Sequence, residues 1–425
     1  MKNYAKRIAD DALARKLRGM GAVLIQGPKW CGKTTTCEQI AKSVLYMGDP
    51  KRRKELLDMA DLDISALLEG ARPRLIDEWQ VAPMFWDAVR HAVDHSEGAG
   101  QFILTGSVVP PKTSEMTHSG TGRIARLSMR PMTLWESGES SGSISLAALF
   151  SGGAAETARP MPHGLREIAH FVCRGGWPQA VMQQDDVALD MAFEYVNAVA
   201  DEDISRIDGV SRDPQKVRRF MRSYARVQGT QANFRVLKMD MAGGGNEKPD
   251  EDTVSSYRSA LQKLFVVEDM PAWCPNLRCK TPIRTGDTRF YVDPSIATAA
   301  LGLGPGDMMN DLTSFGFFFE TLAVRDLRVY AEPLFGSVAH YRDASGLECD
   351  AVIHLRNGAY GLVEIKLGGE RLVEAGVASL HALAGKIDVE ATKAPSFLMV
   401  LTAVGDFAYR RRDGVWVCPI GALRP

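Results

Sequence analysis

The sequence has no charge imbalance, no long apolar run and no closely paired cysteines, and each absence removes a class of protein. Its 51 lysines and arginines stand against 52 acids, a formal net charge of -1. That balance gives no overall attraction to a polyanion, so a nucleic-acid surface would have to be a local basic patch. The first twenty residues, MKNYAKRIADDALARKLRGM, are charged throughout and lack the apolar core of a signal peptide. No later stretch approaches the uninterrupted apolar run of a membrane span. A soluble, cytoplasmic protein with no membrane partner is expected. The seven cysteines are scattered; the nearest pairs, Cys31 with Cys37 and Cys274 with Cys279, lack the two-residue spacing of a zinc knuckle. Reduced structural thiols are expected.

What is present is a chain of 425 residues, 45% hydrophobic and 24% charged, room for roughly two to four domains. A strand is predicted at AVLIQ, Ala22 to Gln26, running into GPKWCGKT, Gly27 to Thr34, and then into TTTCEQIAKSVL, whose apolar positions recur at helical spacing. Strand, glycine-rich loop and helix in that order form a phosphate-binding loop, because backbone N–H groups and the helix start wrap the phosphates. The nucleotide-binding candidates are Gly27, Pro28, Lys29, Trp30, Cys31, Gly32, Lys33, Thr34 and Thr35, with ATP and Mg2+ as the implied ligands. Lys33 would reach the β- and γ-phosphates, and the Thr34 hydroxyl would hold Mg2+. Gly27 and Gly32 supply backbone freedom and close approach.

About fifty residues on, RLIDEW carries an apolar strand into Asp77 and Glu78. P-loop NTPases place such a strand beside the first, which makes Asp77 a metal residue, direct or through water, and Glu78 the candidate base. A third strand, FILTGS, ends at Ser107; either Ser107 or Thr105 is placed to touch the γ-phosphate or the attacking water.

With TGRIARLSMRPMTLWES, RGGWPQAV and SYAR added, the chain resembles the bacterial and archaeal AAA-type ATPases that carry a C-terminal nuclease-like domain of unknown function. The resemblance implies an α/β fold: a P-loop AAA-type parallel-sheet core over 1–150, a helical lid over 151–235, a winged helix-turn-helix over 236–285 and a restriction-endonuclease-like α/β domain over 286–425. It also implies an arginine finger at Arg123, in cis or from a neighbouring subunit of an oligomer, with Arg126 and Arg130 as competitors. Residues 136 to 160 are read as the exit from the ATPase sheet. The basic run Lys216, Arg218, Arg219, Arg222 and Arg226 either supplies a residue to the nucleotide or to a partner or is a solvated face. In the winged helix a recognition helix from Thr253 to Leu264 would expose Ser255, Ser256, Arg258 and Lys263. It would dock either DNA or a protein partner.

The C-terminal third holds a second constellation. Phe315 to Val329 is predicted as an amphipathic helix bearing Glu320, followed by three strands with Glu348 and Asp350 on the second and Glu364 and Lys366 on the third. Period-two alternation turns Glu364 and Lys366 to one face, where they meet Asp350. This resembles the PD-(D/E)XK nuclease fold. Asp350 and Glu364 would then hold Mg2+, Lys366 would act at the scissile phosphate, and Glu320 would be an accessory acid. ATP hydrolysis coupled to DNA binding or cleavage is one expectation. The alternative is a regulatory ATPase that senses or remodels a protein, its C-terminal domain silent.

Overall fold

Three of the predicted strands form because each carries a short apolar run that is buried on both faces, the pattern of a parallel sheet covered on both sides. In the computed structural model, which describes residues 4–108, 119–183, 185–207, 209–242, 251–274, 286–388 and 392–425, these are β1 (Ala22–Gln26), β3 (Arg74–Asp77) and β4 (Phe102–Gly106). With β2 (Ser43–Tyr46) and β5 (Ile124–Ser128) they make a parallel sheet in the order β2-β3-β4-β1-β5. Helices α1 (Ile8–Gly19), α2 (Lys33–Glu38), α3 (Arg53–Leu67) and α4 (Phe85–Asp94) accompany it. Trp79, Phe85, Trp86 and Phe102 fill the core beneath α3 and α4.

Two expectations are corrected here. The strand carrying Asp77 does not lie beside β1, because β4 pairs with both and separates them. The helix after the loop stops at Glu38, and Ser43–Tyr46 is β2, paired residue for residue with β3. Pairing on an open sheet edge outweighs the helical spacing of the apolar residues there.

The chain divides into two compact units. One is Met1–Pro131 with Asp203–Ser211 and Ala260–Phe265; the other is Met132–Glu202 with Arg212–Ser259 and Val266–Pro425. Residues 136 to 160, expected as the exit from the first sheet, belong to the second unit. There β6 (Ile144–Ser145) pairs with β14 (Leu423–Arg424), and β7 (Thr157–Ala158) joins the second unit's sheet.

That second sheet runs β7, β12 (Ala408–Arg410), β13 (Trp416–Pro419), β11 (Phe397–Thr402), β10 (Tyr360–Lys366), β9 (Glu348–Leu355) and β8 (Gly336–Arg342). Strands β8, β9 and β10 are antiparallel, and β11 is parallel to β10. The helix that precedes the three strands spans Leu312–Ala331. It is not amphipathic: every residue from Thr321 to Ala331 is buried. Its Arg325 is satisfied by Asp293 (2.8 Å) and Asp326 (2.8 Å).

The RGGWP break is built around that ion network. Gly176 N–H donates to Asp293 (3.0 Å), Trp177 Nε1 donates to Ser295 Oγ (2.9 Å), and a Cβ on Gly176 would stand 2.1 Å from the Met132 carbonyl oxygen. Of the expected winged helix, the helices Phe234–Ala242 and Glu251–Lys263 are described, and Asn246 to Asp250 lie outside the described residues. Arg258, expected on the exposed side, is instead paired with Asp269 (2.6 Å). In the basic run, Arg218 pairs with Asp201 and Arg226 with Asp240. Cys274 is disulfide-bonded, against the expectation of thiols throughout, and its partner is not among the described residues. No helix among the described residues is long and apolar enough to cross a membrane.

Candidate functional site

The first unit gathers its polar residues where β1, β3 and β4 end. The chain leaves β1 at Gly27, buried so closely beneath the strand-β5 exit that a Cβ there would lie 2.0 Å from the Met129 carbonyl oxygen. Gly32 takes a left-handed conformation (φ 96°) as the N-cap of α2. Trp30, exposed at the loop tip, is also left-handed (φ 66°), a strained choice for a bulky residue and of the kind that persists at functional sites. The Lys33 ammonium is buried over the loop and donates to the carbonyls of Gly27 (2.9 Å) and Pro28 (2.6 Å). Cys31 is fully buried, its thiol turned to the Met129 carbonyl, and Thr35 is exposed.

Thr34 Oγ1 donates to Asp77 Oδ1 (2.7 Å), and Thr105 Oγ1 donates to the same oxygen (2.6 Å). The interposed β4 makes this possible. It sets Thr105 between the loop and the acids, where its hydroxyl also accepts from Glu78 N–H (3.2 Å). A hydroxyl and a carboxylate oxygen at such a distance are the hard donors that Mg2+ takes, so the residues present fit that ion. Ser107 is buried just beyond β4.

Glu78 is differently placed. Its backbone is left-handed (φ 55°), and its carboxylate oxygen lies 2.9 Å from where a Cβ of Gly48 would stand, on the β2 side of β3. The loop lies two strands the other way. Arg123 precedes β5, whose first residue pairs with Ala22 at the start of β1. It therefore stands at the sheet edge opposite the loop, bonded to Asp94 (2.7 Å). Within one chain the structure does not bring Arg123 to the phosphate loop. Arg126 lies over Trp86, and the Arg130 carbonyl accepts from Arg7.

Two loop contacts were not anticipated. Buried Arg7 donates to the carbonyls of Cys31 (2.8 Å) and Arg130 (2.8 Å), bracing the loop from the N-terminal segment. Lys29 pairs with Asp203 at 2.5 Å. Nothing local in sequence signals either contact, because the partners lie 24 to 174 residues apart.

The family match agrees with the fold of the first unit. Residues 20–137 match the family model described as an AAA domain, while residues 165–307 and 315–423 match two domains of unknown function. Residues 20–137 form an AAA-type P-loop domain. The chain is 22% identical over 366 residues to uncharacterized proteins of Mycobacterium tuberculosis and Mycobacterium bovis, covering 85% of this chain and 74% of each relative. The Walker-type ATPase of Pyrococcus abyssi is similar at 14% identity and a TM-score of 0.44, over 70% of this chain and 96% of that one. The AAA-type domain thus contains every nucleotide candidate named from the sequence.

In the second unit, β9 and β10 bring Asp350, Glu364 and Lys366 together as alternation predicts. Lys366 Nζ stands 2.9 Å from Asp350 Oδ2 and 2.6 Å from Glu364 Oε2. Asp350 Oδ2 also accepts from Ile365 N–H (2.7 Å), and Ser379 Oγ donates to Glu364 Oε1 (3.0 Å). Burial, then the Asp350 charge, push the Glu364 carboxyl up to about 7 against the pull of Lys366. Burial alone would lower the Lys366 ammonium, but Asp350 and Glu364 raise it. Glu320 is half-buried with its carboxylate against Gly229; burial, then Asp350, raise it well above the usual range. Among the described residues no group of three or more His, Cys, Asp or Glu is disposed to hold a metal ion.

Proposed function

We propose that the AAA-type domain binds ATP with Mg2+ and hydrolyses it. The observation that carries this is the double hydrogen bond to Asp77 Oδ1 from Thr34 and Thr105, which ties the phosphate loop, the acid strand and the strand between them at one oxygen. Bound Mg2+ supplies charge neutralisation at the transferring phosphoryl group. Lys33 turns from the carbonyls of Gly27 and Pro28 to the phosphates, a change of partners that keeps its charge paired. Thr34 and Asp77 provide the oxygen donors for Mg2+. Thr105 or Ser107 orients the attacking water, and Glu78 swings off Gly48 to act as base. Arg123 serves in trans, from a neighbouring copy, since in cis it faces the wrong sheet edge. Phosphate release from ATP with and without Mg2+, in wild type and Asp77→Asn, tests the assignment: turnover that neither change affects refutes it.

For the second unit we propose a binding role coupled to nucleotide state, with a protein or DNA as partner, in preference to cleavage. What favours this is Lys366, whose ammonium already spans the two carboxylates that a metal would need. DNA cleavage through Mg2+ at Asp350 and Glu364 is the competing proposal, supported by the convergence of the three residues on one face. Incubation of duplex, single-stranded and branched DNA with ATP and Mg2+ decides it. Cutting that disappears in Lys366→Ala would establish cleavage, and intact DNA throughout would leave the binding role.

A further inference from the structure

The segment ahead of α1 grips the phosphate loop on both sides of Gly32. Arg7 is the N-cap of α1, its own N–H held by Asp10 Oδ2 (2.8 Å). Its guanidinium is 4% exposed and forks to two carbonyls, Cys31 in the loop before Gly32 and Arg130 after β5. Asp10 Oδ1 accepts from the Tyr4 hydroxyl (2.6 Å), which meets Thr36 Oγ1 (3.0 Å) in α2. Thr36 N–H in turn donates to the Gly32 carbonyl (3.0 Å). Arg130 follows Met129, whose carbonyl oxygen already receives the Cys31 thiol, so the fork ties the loop a second time to the exit of β5.

These bonds orient one peptide. The Cys31–Gly32 bond is trans, and a planar trans peptide sets its C=O and N–H on opposite sides. With the Cys31 oxygen held against Arg7, the Gly32 N–H is turned the other way. Main-chain N–H groups at the start of such a helix are the donors that wrap phosphate. A buried guanidinium needs bonded partners, which makes the fork costly to release.

We propose that Arg7 is a positioning residue for ATP: by holding the Cys31 carbonyl it aims the Gly32 N–H at the bound phosphates, and Tyr4 keeps Arg7 and α2 in place for it. Arg7 does not itself touch the nucleotide, because its two terminal nitrogens are committed to main-chain oxygens. The brace stands on these bonds alone; its part in nucleotide binding rests on the ATPase reading.

The test uses the full chain and reads two quantities. The first is the rate at which iodoacetamide alkylates each cysteine, followed by mass spectrometry. Cys31 is buried in the loop, while Cys349 and Cys418 are buried in the second unit and serve as internal standards. Arg7→Gln removes the fork and should speed Cys31 labelling about tenfold through local opening, with Cys349 and Cys418 at the wild-type rate. The second is steady-state hydrolysis. KM for ATP should rise about tenfold with kcat within about twofold, because an aimed N–H binds ground and transition states alike. Arg7→Lys keeps the charge but cannot span both carbonyls, so its KM should stay raised; full rescue would assign the effect to charge and overturn the fork.

Cys31 protection in Arg7→Gln equal to wild type overturns the brace. Faster Cys31 labelling with an unchanged KM overturns the positioning role. If every cysteine of Arg7→Gln labels as in an unfolded chain, Tyr4→Phe decides. Loss of that one hydroxyl should speed Cys31 labelling and raise KM about threefold, and wild-type values for both would contradict the proposal. A wild type without ATPase activity defeats the function proposed above and leaves the brace to be decided by Cys31.

Discussion

Thr34 Oγ1 lies 2.7 Å from Asp77 Oδ1, and this contact joins two segments 43 residues apart into one centre. Replacing Asp77 by Asn keeps the shape but removes the charge that faces a divalent ion. Mg2+-dependent ATP turnover is expected to fall on the order of a hundredfold. Steady-state phosphate release over a Mg2+ titration checks it, with the saturating Mg2+ concentration moving upward.

Gly27→Ala places a Cβ 2.0 Å from the Met129 carbonyl oxygen, which is backbone and cannot turn aside. The loop must shift from β5, at a cost of about 3 kcal/mol. Urea unfolding should show that loss, and a fluorescent ATP analogue should no longer bind.

The parts of this site that were legible in the sequence are those encoded locally. AVLIQ, RLID and FILTG each carry a short apolar run because both sheet faces are covered, and GPKWCGKT announces itself by composition and context. The alternation that brought Glu364, Lys366 and Asp350 together is equally local. What was not legible depends on distant pairing. The insertion of β4 between β1 and β3 is set by sheet order. The end of α2 at Glu38 is set by the pairing of β2 with β3. Arg7 reads as one more charge in a charged segment until its carbonyl partners at Cys31 and Arg130 are seen. Arg123 matched an expected role by its neighbours in sequence, yet register places it at the far end of β1.

In the second unit, Arg325→Ala leaves Asp293 and Asp326 buried without their shared cation. Removing one partner of a buried charge network costs about 3–5 kcal/mol. Chemical denaturation of the variant should show it, and Arg325→Met should not rescue, since the acids remain uncompensated.

Glu364 gives a pH signature. Its carboxyl is raised from 4.5 to about 7 in the folded chain, chiefly by burial and then by Asp350. The folded state therefore holds a proton that the unfolded state releases. The stabilising contribution of this group is present below pH about 4.5 and is lost as pH rises toward about 7. Unfolding free energies across that window should decline in wild type, and the decline should be smaller in Glu364→Gln. Identical slopes for the two proteins would contradict the raised value.

The most direct test of the central claim is phosphate release from ATP by wild type and by Lys33→Ala at saturating Mg2+. Lys33 is the buried cation that now bonds the Gly27 and Pro28 carbonyls at the phosphate loop. The account predicts turnover in wild type and its loss, by on the order of a hundredfold or more, in the variant. Equal release by both proteins, or none by either, would contradict it.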